Sequence, residues 1–400
     1  MALLLMLAVI VVLAVVVLRD AHTAAGNKAP GSKSATHASK QSSPATAAAS
    51  SSTPDPSASF TWTGPPSDKL HLKRTHIIYG TISPKSVVAT QTGLIFAQNM
   101  MYRHTMTVYS DSAYKLIKTI RDSVKLAKLG VKGYAGTVQG APVEAAVTPH
   151  RQSIYISNYS MYGPGFYHEG HDAGGPGSGY DPSFVYRVNL NSLKVDQAIK
   201  VGSVPKFLEV TPNGRYLLVS NWASYTLSVC DPRGKGHQIR QIYLGPNPRG
   251  IAVDPQSRYA YVAVMGSTGI AKIDLQTFKK TTIYAGSGPR HLCMSPHGRW
   301  LYVTLNGEGR VAKIDLKTDH VVDTVATGAQ PRSMTMAPDG KSLYVVNYVS
   351  NTFSKVRTSD MRVLQELSTN SSPIGITYDW AHRDVWVSCY SGSLMVFHDH

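Results

Sequence analysis

GSGPRHLCMSPHGRWLYVTLN (residues 286–306) and GAQPRSMTMAPDGKSLYVVN (residues 328–347) are one pattern written twice. In each, a proline opens a short apolar run, a Pro/Gly turn follows, and an alternating strand such as LYVVN closes the unit. Period-2 alternation bounded by turn residues predicts half-buried strands. GPNPRGIAVDPQSRYAYVAV (residues 245–264) is a third copy. A third strand follows these units (VAKIDL, FSKVRT), then a fourth with Val/Thr alternation (HVVDTVAT).

Working outward, the marker prolines are Pro84, Pro142, Pro205, Pro248, Pro289, Pro331 and Pro373, which makes seven units. The last five are spaced 43, 41, 42 and 42 residues apart, while gaps of 58 and 63 at the start contain insertions. Four strands per unit of this length predict an all-β, seven-bladed β-propeller of four-stranded blades. The seventh unit stops at His400 after three strands, and an orphan strand, LHLKRTHIIYG, precedes the first proline. The ring is therefore expected to close with the N-terminal strand completing the last blade, which removes an open edge.

The Pro-x-x-hydrophobic, PDG-x-x-LYV-x-N and K-I-D-L motifs resemble the YVTN propeller repeats of bacterial and archaeal surface proteins, over about residues 70–400. That resemblance implies an exported propeller. Related seven-bladed folds include sugar lactonases and an antibiotic lyase, so fold alone does not imply one activity.

Outside the repeats, Ala2 to Leu18 is uninterrupted apolar sequence, and residues 1–20 are expected to be a transmembrane anchor or signal segment, with the anchor favoured. Its positive charges, Arg19, Lys28 and Lys33, lie downstream, which read literally would leave the propeller on the cytoplasmic side. From Ala21 to Ser59, 29 of 39 residues are Ala, Ser, Thr or Pro, so residues 21–66 are expected to be a disordered tether and 67–400 the propeller. The net charge is +16, and residues 67–400 carry 36 basic against 22 acidic groups, so the excess belongs to the repeats. Such a field favours anionic partners. Cys230, Cys293 and Cys389 fall in non-adjacent blades and are expected to be free, buried thiols.

One position after each marker proline stand Lys85, Val143, Lys206, Arg249, Arg290, Arg332 and Ile374. Five of the seven are basic and in one register, which predicts a cationic mouth of the channel with His291 beside it. An alternative is that each cation is paired structurally, for example with Asp254 or Asp274. The second insertion, YSMYGPGFYHEGHDAGGPGSGYDP, is expected to be a lid. It crowds His168, Glu169, His171 and Asp172, a candidate divalent-cation set that His104 could join. The first insertion, RDSVKLAKLGVKGYAG, predicts a helical turn capped by Asp122 or Ser123 and closed by Gly130, with Lys125, Lys128 and Lys132 solvated. Asn158, Asn221 and Asn347 end second strands, where they are expected to satisfy backbone groups.

The favoured expectation is a membrane-tethered, extracytoplasmic, monomeric binding module. Its partner would be a small anionic ligand or an envelope polymer, with nucleic acid less favoured. No cofactor is expected unless a divalent cation binds. The alternatives are a lactonase- or lyase-type enzyme and a structural surface-layer protein.

Overall fold

A computed structural model describes residues 62–400. The predicted segments before residue 62 lie outside it, and among the described residues no helix is long and apolar enough to cross a membrane. Trp62 packs against the cluster around Tyr378 at the junction of blades six and seven.

The chain forms seven antiparallel sheets. Their innermost strands are Pro84–Ala89, Val138–Val147, Pro205–Val210, Pro248–Val253, Pro289–Met294, Pro331–Met336 and Pro373–Asp379. Each touches the next and the last touches the first, so the ring is closed. Leu72–Tyr79 pairs antiparallel with Ser393–Asp399 as the outer strand of blade seven, as the orphan strand predicted.

Every interface between neighbouring blades is its own apolar layer. Leu218, Val229, Ile251 and Val262 fill the one between blades three and four, and Ile95, Trp386 and Val396 fill the closing one. A fully buried Leu, Ile or Val contributes about 1.5–3 kcal/mol, so alternation along each strand is what holds adjacent sheets face to face. Asn99, Asn221 and Asn347 each donate from Nδ2 to two hydroxyls of the following strand rather than to turn backbone, although Asn158 and Asn347 also donate to the carbonyls of Phe184 and Thr327 as expected. All three cysteines are free, and burial pushes their thiols up to about 12.

Two local expectations are corrected. Blade two has a fifth strand, Ser123–Val124, which pairs with Gln139 and Val138. The helical turn is a short 3-10 segment, Leu126–Leu129, closed by Gly130 at φ +83° as predicted, but neither Asp122 nor Ser123 caps it. Leu126 is instead buried with Phe166 and Phe184, and that burial holds the insertion down. Asp122 is wholly buried for a different reason, taken up in the Discussion.

Candidate ligand-binding mouth

In all seven blades the strand register shifts just after the marker proline, at Pro84/Ser86, Pro142/Ala145, Pro205/Leu208, Pro248/Ile251, Pro289/Leu292, Pro331/Met334 and Pro373/Gly375. A bulge bends the strand and re-aims a side chain. In blades three to seven the residue before the proline also takes a left-handed conformation: Val204, Asn247, Gly288, Gln330 and Ser372. For the β-branched Val204 this is a true outlier, of the kind that collects at functional sites. Hydroxyls of a preceding blade then grip the backbone of the cationic position. Ser157 donates to the carbonyl of Lys206 at 3.0 Å, Ser220 to that of Arg249 at 2.6 Å and Thr304 to that of Arg332 at 3.2 Å.

The result brings the predicted cations together. Lys85, Lys206, Arg249 and Arg290 are buried and Arg332 half-buried, and each of the other four feels the charge of Arg249. Two carboxylates face these five cations. Glu144 accepts from Lys85 at 2.9 Å, and Asp172 of the lid pairs with Lys206. Among the described residues no carboxylate pairs with Arg249, Arg290 or Arg332. The partners proposed from sequence are engaged elsewhere, Asp254 with Arg258 and Asp274 with the backbone of Gln276 and Thr277.

The arginines lean on soft neighbours instead. Arg332 lies 3.5 Å over Tyr348 and donates to Gln330 Oε1 at 3.2 Å, with its Nε left unsatisfied. Arg290 Nη1 touches Met265 Sδ at 3.7 Å, and Arg249 lies over Trp222 at 5.7 Å. Lys206 sits over Tyr159 and Trp222. Cation–π contacts offset part of the cost of burial without neutralising the charge. Tyr390 completes the collar, 6.3 Å from Tyr348 and within the field of all three arginines.

Burial, with like charges adding to it, pushes Lys85 down to about 8 and Lys206 down to about 7, against the pull of Glu144 and Asp172. Burial followed by Arg249 and Arg332 makes the charge on Arg290 costly, yet a guanidinium keeps its proton in proteins. Burial, then the charges of Arg290, Arg249 and Lys85, push His291 down to about 3, so its imidazole is neutral; its ring meets Phe207 edge-on at 5.0 Å. Further along the same inner strands, burial raises Glu209 to about 8.

The lid does not gather its histidines and carboxylates. Glu169 accepts from Tyr162, the backbone of His168 donates to Asp181, and the ring of His171 meets Tyr180. These four residues form no group with ligand atoms in reach of one another. His104 does approach the lid, stacking on Tyr162 at 5.1 Å. Asp172 is the lid residue that reaches the mouth. Besides Lys206, its carboxylate accepts from Tyr159 at 3.0 Å, and its carbonyl accepts from Trp222 Nε1 at 2.9 Å. Gly170 lets the lid lie this close, because a Cβ there would fall 2.3 Å from Val204.

Sequence reasoning missed the collar and both counter-charges. In six blades the residue after the second strand is Met100, Trp222, Met265, Asn306, Tyr348 or Tyr390; in blade two the strand runs on through Asn158 to Tyr162, and Tyr159 holds the equivalent place, so the register carries four aromatics that a column-by-column reading of the repeats displays.

The cytochrome D1 heme domain family matches residues 262–377, under a third of the chain but including Arg290, His291, Arg332 and Tyr348. No curated protein matches the sequence. Among solved structures, a chain of Kuenenia stuttgartiensis hydrazine synthase superposes with a TM-score of 0.63 at 17% identity, covering 80% of this chain and 97% of that one. That likeness concerns the fold. The expectation that no cofactor is involved is corrected by the family match, which is to a heme domain.

Proposed function

We propose that the propeller is a binding module whose mouth takes an anionic ligand, with Arg249, Arg290 and Arg332 holding its carboxylate or phosphate oxygens. One observation carries the reading: three guanidinium groups share a largely buried region without a carboxylate partner among the described residues. A buried, unpaired charge is expensive, and an arriving anion recovers that cost through charge-assisted hydrogen bonds of about 1.5–3 kcal/mol each. Asp172 already behaves as a tethered fragment of such a ligand, its carboxylate seated on Lys206 within the field of Arg249.

Within this class, the family match favours a tetrapyrrole bearing carboxylates. The residues present suit a heme in donor type: guanidinium groups for its carboxylates, Tyr348 and Tyr390 for its flat faces, and the neutral imidazole of His291 for its iron. The bound iron would supply redox or ligand-exchange chemistry, so an enzymatic role enters through that group rather than through the lid. The YVTN-like repeats and the apolar segment at residues 1–20 support placing the module outside a membrane, which fractionation of cells expressing the full chain tests.

The ligand test is a titration of the full chain with hemin, followed by its Soret band, alongside calorimetry with a phosphorylated polyanion. Arg290→Gln should weaken either interaction roughly 10–100-fold while leaving apo stability unchanged or higher. Asp172→Asn should strengthen polyanion binding by removing the internal competitor. His291→Ala should alter the heme spectrum and leave polyanion binding alone. Binding that is indifferent to Arg290→Gln would sink the proposal, and no binding at all would leave the propeller as architecture.

A further inference from the structure

At the opposite end of the strands from the mouth, where blade seven meets blade one, lies a second polar cluster. Asp111 stands in the turn that follows Thr105–Ser110 of blade one. Asp379 and His382 flank the turn between the first two strands of blade seven. Asp111 and Asp379 are buried, 5% and 1% exposed, and His382 is half-buried. Their ligand atoms all lie within 4.8 Å of one another. His382 Nδ1 lies 2.8 Å from Asp379 Oδ2, at hydrogen-bond distance, and among the described residues neither carboxylate pairs with a lysine or arginine.

Asp111 adds an independent observation. Its side chain is 8% exposed and aimed into the cluster, with His382 Nδ1 at 3.8 Å. Among the described residues its carboxylate accepts no hydrogen bond, its backbone N–H alone being used, toward Gly93. A buried carboxylate aimed at a second one and at an imidazole is an arrangement a divalent cation satisfies.

We propose that Asp111, Asp379 and His382 form a divalent-cation site that clasps the closing seam of the ring. Two carboxylate oxygens and one imidazole nitrogen suit Zn²⁺ or a similar first-row ion, with water completing the shell. The all-oxygen preferences of Ca²⁺ and Mg²⁺ are not met. Asp379 Oδ1 accepts from the Ala381 N–H at 3.2 Å, which fixes that carboxylate in its turn, and a second polar network lies beside the cluster. Asp384 accepts from Tyr114 at 2.7 Å and contacts His398 Nδ1 at 3.0 Å, and Tyr114 stacks between His76 and Trp386.

The test uses the full chain stripped with a chelator and titrated with ZnCl₂, read by calorimetry and thermal melting. One equivalent should bind and raise Tm, and Asp111→Asn should weaken that event by more than about 100-fold. His382→Ala should do the same while leaving every other histidine available, which separates this site from adventitious uptake. Because His382 lies in a half-exposed turn, that variant keeps the test decisive if Asp111→Asn fails to fold. A native chain that takes up no Zn²⁺, or a His382→Ala chain that binds as the native one does, would overturn the proposal. Neither result bears on the mouth.

Discussion

Asp122 is wholly buried with both carboxylate oxygens unsatisfied, and the Oδ1 of Asn158 beside it is equally without a donor. Both side chains press on Gly140, where a Cβ would fall 2.4 Å from Asn158 and 2.6 Å from Asp122 Oδ2. Burial drives the carboxyl well above its ordinary range, which favours its neutral, protonated form, a form able to donate where Asn158 Oδ1 lacks a partner. The sign for stability follows. In the unfolded chain this group loses its proton above a pH of about 4, while the folded chain retains it, so stability falls as pH rises past that value. Asp122→Asn keeps the shape and provides a permanent donor. It should stabilise the protein by about 1–3 kcal/mol at pH 7 and by little below pH 4, a difference that urea melts at the two pH values measure. The same logic explains why Asp122 looked like a cap from sequence. An acidic residue before an apolar turn is a common start signal, and only the packing of Gly140 shows that its side chain points inward.

At the scale of strands, the closing strand Leu72–Tyr79 joins the start of the ring to its last blade. Ser67 donates from its backbone and its hydroxyl to Asp339 at 2.7 Å each, and Leu72 N–H donates to Gln365 at 2.8 Å. Lys355 reaches both the Leu70 carbonyl at 2.8 Å and Asp399 at 2.6 Å, in a wholly buried ion pair. Deleting residues 67–80 should therefore lower Tm by ten degrees or more (on the order of several kcal/mol), whereas deleting 21–59 should leave the melt unchanged. Equal melting of both truncations would refute the closure. This strand was legible because seven units with three strands in the last one leave a single unpaired run to complete it. The cationic register was legible because each cation follows a marker proline. Glu144 and Asp172 were not, since each neutralises a lysine 59 or 34 residues away, one from a neighbouring inner strand and the other from an insertion. The seam cluster was hidden for the same reason. Its parts come from the first and last blades, and separation in sequence says nothing about which turns of a closed ring become neighbours.

Across the whole molecule, positive charge is concentrated where the seven inner strands begin. Lys85 and Lys206 titrate at about 8 and about 7, so the field of the mouth is a function of pH in a range where its arginines are not. Raising the pH from 6 to 9 discharges both lysines, releases Asp172 from its partner and leaves the guanidinium groups as the remaining cations. Affinity for an anion of fixed charge, such as a sulfonated polymer, should fall by about tenfold or more over that interval, and calorimetry at constant ionic strength reads it. A flat profile would mean that the lysines serve the fold and not the ligand.

The register break after each marker proline has a consequence for how such a molecule changes over time. Because the residue in the break is excused from ladder pairing, its identity is not dictated by the sheet, and seven such sockets open on one region. They now read Lys, Val, Lys, Arg, Arg, Arg, Ile. If the mouth binds as proposed, substitutions in these sockets would change what the ring recognises one letter at a time without disturbing the ladder pairing that assembles the ring.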